Sequence, residues 1–134
     1  MSIEEIVEKM ENIVRRLEME SSLLNEIRKK YGSSGKELFI GRYGKRFNDI
    51  NRKISVLTSI LNEIFMKKWY DNYEFRFLET HRVKVSNLLS EAVELSLVSE
   101  EEAKEIAKFL GFSWSRELAL SNDGSVNEKL TKWL

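Results

Sequence analysis

Between Phe39 and Trp69 the apolar residues fall at alternating steps of three and four: Ile40, Tyr43, Phe47, Ile50, Ile54, Leu57, Leu61 and Ile64. Such spacing draws one stripe along one side of a helix. A mean period of about 3.5 residues suits long helices packed nearly parallel to a neighbour, as in a coiled coil. A matching seam comes first: Ile3, Ile6, Met10, Ile13, Leu17, Glu20, Leu24, Ile27 and Tyr31, interrupted only by Glu20. A polar residue there either fixes register or sits where the seam opens to water. The two seams are separated by Tyr31-Gly-Ser-Ser-Gly35. So short a link predicts an antiparallel hairpin of helices over 1–31 and 36–70. Gly41 and Gly44 lie in the first turns of the second helix, each costing about 1 kcal/mol relative to Ala, and predict a start that is irregular or close to a neighbouring backbone.

The rest of the chain is also read as helical. A third helix is expected over 72–97, with its seam at Leu78, His81, Val85, Leu88, Ala92 and Leu95. Trp69, Tyr70, Tyr73, Phe75 and Phe77 crowd the corner before it, as core or as a binding surface. Short helices are expected over 99–134. Ser2 with Glu5, Ser99 with Glu102, and Ser125 with Glu128 each have capping-box spacing, in which a hydroxyl and a carboxylate reciprocally satisfy two free amides. Gly111 is placed to stop one short helix, Ser121-Asn-Asp-Gly124 to form a turn, and Val126, Leu130, Trp133 and Leu134 to form a terminal apolar face. The expected fold class is therefore all-α: one domain over 1–134, a helical bundle built on two long antiparallel helices.

With no cysteine, disulfides, zinc–thiolate sites and cysteine nucleophiles are excluded. No run approaches the roughly 18 apolar residues of a membrane span, and the acidic MSIEEIVEKM start is unlike a signal peptide. A cytoplasmic location is the expectation. Net charge is zero, but its distribution is uneven. Residues 1–27 hold seven acids and three bases, residues 28–53 nine bases and two acids, and residues 91–128 nine acids and three bases. Within the basic part, Arg42, Lys45, Arg46, Arg52 and Lys53 share the face away from the seam and form the candidate nucleic-acid-binding set. The competing explanation is an acidic helix lying beside a basic one.

Three local patterns bear on catalysis or recognition. Gly32-Ser-Ser-Gly35-Lys36 is too short for a phosphate-binding loop, Glu37 stands where Ser or Thr should follow the lysine, and no apolar strand precedes it. Ala107-x-x-x-Gly111-Phe112-Ser113 resembles the helix-turn-helix family over residues 101–121. The resemblance implies a reading helix over Trp114 to Ser121, with Ser113, Ser115 and Arg116 as contacts, but Glu117 falls where that family has an apolar residue. Arg76 and His81, inside a small helical bundle, resemble the signature of HEPN ribonucleases. That resemblance implies His81 in proton transfer and Arg76 on developing charge at an RNA phosphate, although Phe77 replaces the polar residue usual after the arginine. With one histidine and no cysteine, the chain offers no metal or cofactor set. The favoured expectation is a non-catalytic binding or assembly subunit of a nucleoprotein or multi-protein complex. Its partners would be another protein or a second copy, with DNA or RNA on the basic stripe and no small-molecule substrate.

Overall fold

A computed structural model describes residues 2–69 and 79–116. Among these residues four helices follow in order: α1 (Ile3–Tyr31), α2 (Lys36–Trp69), α3 (Glu79–Glu94) and α4 (Glu100–Leu110). No strand occurs among the described residues. α1 and α2 form the expected antiparallel hairpin, and α3 and α4 pack on it. The Ser2 hydroxyl opens α1 by accepting from the Glu5 amide at 3.3 Å.

The main core occupies one end of the hairpin. α1 contributes from Ile6 to Val14, α2 from Val56 to Ile64, α3 from Val85 to Ala92, and α4 from Ala103 to Leu110. Leu97 and Val98 of the α3–α4 link, and Trp114 beyond α4, close it. Flanking by both α2 and α4 widens the stripe on α1, which is why Val7 and Val14 are buried beside Ile6 and Met10. Past Leu17 the hairpin continues for about 20 Å as a two-helix arm. Its buried side chains, Leu24, Phe39 and Ile50, come from α1 and α2 alone. Tyr31, Phe39, Tyr43 and Phe47 fill the arm with ring contacts at 5.4–6.3 Å between centroids.

The arm is closed by a tight turn. Gly32 takes a positive φ of 69° and donates its amide to the Lys29 carbonyl. At Gly35 the constraint is space: a Cβ would lie 2.5 Å from the Tyr31 carbonyl oxygen, a backbone atom. Gly35→Ala is therefore expected to push the helix ends apart and lower stability by about 1–3 kcal/mol. Chemical denaturation checks this, and an unchanged midpoint would contradict the close approach.

At the other connection, α3 ends with Ser96 at φ 60°. The Leu97 amide donates to the Ala92 carbonyl and the Ser96 amide to the Val93 carbonyl. This is the crossed pair of bonds that closes a helix through a left-handed residue. α4 then opens on a complete capping box between Ser99 and Glu102, and closes the same way as α3 at Gly111, φ 102°.

Four expectations need correction. Ile40 is 55% exposed, and Phe39 (3%) takes the inward position. Both lie near the inward side at the start of α2, and the larger ring wins because Tyr31 and Tyr43 offer it aromatic contacts. On α3, Leu89 is fully buried and Leu88 only partly, because a four-then-three step from Val85 to Ala92 faces the core. α3 stops at Glu94 rather than 97, where the Ser96 turn intervenes. α2 runs unbroken through Gly41 and Gly44, so packing along the arm overrides their weak propensity. Glu20 sits where the seam opens: it is exposed and reaches Arg46 across the hairpin at 3.4 Å. The expected start of the third helix at 72, its seam residue Leu78, the aromatic corner beyond Trp69 and the chain from Glu117 onward lie outside the described residues.

Candidate nucleic-acid interface

The basic residues of 28–53 all lie on the arm or where it joins the body. Arg42, Lys45, Arg46 and Arg52 are exposed and Lys53 is half-buried, as expected for a face turned from the seam. They divide into two groups by their partners. Arg52 Nε lies 2.5 Å from Glu91 Oε1 on α3, Lys53 is paired with Asp49 on its own helix at 3.0 Å, and Arg46 reaches Glu20. Arg52 and Lys53 sit toward the body and Arg46 on the arm beside Lys45; all three are balanced by acids. Arg28, Lys30, Lys36, Arg42 and Lys45 are exposed and make no ion pair among the described residues. By helix rise, all five lie within about 15 Å of the turn along the arm. Arg42 also places its guanidinium 5.8 Å from the centre of the Tyr43 ring, where it is attracted by the ring face.

Local helix energetics explain part of this pattern. Arg28, Lys29 and Lys30 occupy the last turn of α1, where cations complement the negative helix end, and Lys29 also meets Glu26 at 3.3 Å. The same argument runs against Lys36, a cation in the first turn of α2, at a positive helix end. Arg42 and Lys45 are three residues apart, an unfavourable like-charge neighbour pair worth a few tenths of a kcal/mol. Neither fold stability nor pairing with α1 accounts for these three, and Glu37, the acid in the first turn of α2, offsets only part of their charge, which leaves the tip net positive. The arm's rings point inward: Phe39 is buried, and Tyr31, Tyr43 and Phe47 are half-buried against one another. The tip therefore offers charge, and its apolar surface consists of Leu38 and Ile40 rather than stacked ring faces.

The other two sequence patterns are placed differently. His81 Nε2 lies 2.8 Å from Glu63 Oε2, and Glu63 is buried at the edge of the core. Arg76, the other half of the ribonuclease-like pair, lies outside the described residues. In the helix-turn-helix-like segment, Trp114 is buried and donates from Nε1 to the Ser90 hydroxyl at 3.1 Å. Arg116 is paired with Glu100 at 3.2 Å. Two of the residues that would open a reading helix are thus held against the body of the fold, and the segment beyond Arg116 lies outside the described residues. No helix of the described residues is long and apolar enough to cross a membrane.

Compared with family models, curated proteins and solved structures, the chain matches none significantly.

Proposed function

We propose that this chain is a non-catalytic binding subunit that presents its two-helix arm to the phosphate backbone of a nucleic acid. The observation that carries the reading is the separation of paired from unpaired cations: Arg46, Arg52 and Lys53 are matched to acids, whereas Lys36, Arg42 and Lys45 stand exposed and unmatched near the tip. Lysine and arginine on such a surface displace condensed counterions from phosphates, which supplies affinity with little sequence preference. With the rings inside the arm, base stacking has no obvious platform, so duplex backbone is a better fit than splayed single strands. The body, anchored by its larger core, would hold the arm or engage other proteins of a complex.

The test is binding of labelled duplex DNA, single-stranded DNA and RNA by the wild type and by a Lys36→Glu/Arg42→Glu/Lys45→Glu variant. These side chains make no ion pair among the described residues, so reversal should leave the fold intact, as circular dichroism would verify. At low salt the variant is expected to lose about 100-fold or more in affinity. Equal affinity of the two proteins would remove the tip as the interface.

A further inference from the structure

The outward side of α1 carries a second three–four repeat, unrelated to the buried seam: Asn12, Arg15, Met19, Ser22 and Glu26, with Leu23 alongside. All are exposed, and Met19 and Leu23 are 68% and 65% accessible. Arg15, Glu18, Met19, Ser22, Leu23 and Glu26 line a shallow groove with apolar material at its middle, Arg15 and Glu18 toward one end and Glu26 at the other. Ser22, a small residue beside two long apolar ones, leaves room for another helix to approach.

We infer that this face is the contact between two copies of the chain, with α1 crossing its counterpart antiparallel near Glu20 and Ser21. The face is self-complementary about a two-fold axis. The charged pair Arg15 and Glu26 has its midpoint between residues 20 and 21, and the apolar pair Met19 and Leu23 has its midpoint at residue 21. Along the helix the two centres coincide to within about 1 Å. One axis therefore brings Arg15 to the partner's Glu26, Glu26 to the partner's Arg15, and the apolar residues onto one another. A parallel pair would instead oppose arginine to arginine and glutamate to glutamate. Present contacts of the end charges are local: Arg15 touches Asn12 and Glu26 meets Lys29, each three residues away on the same helix and exposed. Such contacts are weak and exchange readily for an intermolecular pair. The face lies on α1, and nucleic-acid contact by the basic residues of α2 is not needed for it.

One helix pair with two apolar residues per copy makes a small interface, so the dimer is expected in the range of tens to hundreds of micromolar. Sedimentation velocity of the full chain, without nucleic acid and at low salt, reads it directly. Arg15→Glu alone and Glu26→Arg alone each create two repulsive pairs across the axis and are expected to weaken dimerisation about tenfold. The Arg15→Glu/Glu26→Arg double variant restores both pairs in swapped sense and should return the wild-type dissociation constant. Helicity and thermal midpoint confirm that the variants fold. A monomer up to about 1 mM, a dimer indifferent to the single reversals, or a double variant no better than the singles would each overturn the assignment.

Discussion

Trp114→Ala is expected to lower the stability of the fold by about 3–5 kcal/mol. The indole is 4% exposed and sits beyond the end of α4, where it packs against the main core. It is also tied down at one atom. Its Nε1 donates to the Ser90 hydroxyl, which itself donates to the Ser86 carbonyl on α3. Truncation removes the apolar contact of the largest residue in the core and leaves a cavity that short helices cannot close. Trp114→Phe keeps most of the packing and loses the hydrogen bond, so its cost should be only about 1–2 kcal/mol. Urea denaturation followed by circular dichroism gives both numbers. A truncation costing under about 1 kcal/mol would mean that Trp114 does not close the core.

Glu102→Ala should cost about 2–3 kcal/mol, because one carboxylate holds two elements. It accepts from the Ser99 amide at 2.8 Å, completing the cap of α4, and from Lys9 Nζ at 2.8 and 3.1 Å, tying α4 to α1. Burial pushes its pKa up, but the Lys9 hydrogen bond, the Ser99 amide, the Lys9 charge and the Ser99 hydroxyl together hold it below the ordinary value. The folded pKa therefore lies under the unfolded one, near 4.3. The stabilisation is fully present above that value and is lost as pH falls through the folded pKa. Glu102→Gln retains capping ability and drops the charge; half-exposure of Lys9 limits this difference to about 1 kcal/mol at pH 7. The gap between wild type and Glu102→Gln should be constant from pH 7 to about 5 and close as pH falls further. A gap that widened on acidification would contradict the depressed carboxylate.

Patterns that act over a few residues were readable in advance. The Ser99–Glu102 cap and the Gly111 stop depend on spacing along one helix and occur where the spacing put them, and most of the two long seams does too, although Ile40 is exposed and Val7, Val14, Val56 and Ile60 are buried beside the expected stripes. Choices between adjacent apolar residues were not readable. Phe39 against Ile40, and Leu89 against Leu88, are decided by the neighbours each meets across the bundle. The partition of the basic stripe was hidden for the same reason. Arg52 and Glu91 are 39 residues apart, and Lys9 and Glu102 are 93 apart, so no local pattern links them. Only the Arg52–Glu91 and Arg46–Glu20 pairs need the folded chain; Lys53 with Asp49 and Lys29 with Glu26 are neighbours on one helix.

The phosphate-binding role proposed for the arm tip rests on its net positive charge. The most direct test is the salt dependence of wild-type binding to duplex DNA. If three to five tip cations each displace about one counterion, log K should fall linearly with log salt, with a slope of about −3 to −4.5. The Lys36→Glu/Arg42→Glu/Lys45→Glu variant should not bind at the same salt. Absence of wild-type binding at about 50 mM salt, or binding with a slope near zero, would contradict the assignment of the tip as a phosphate-binding surface.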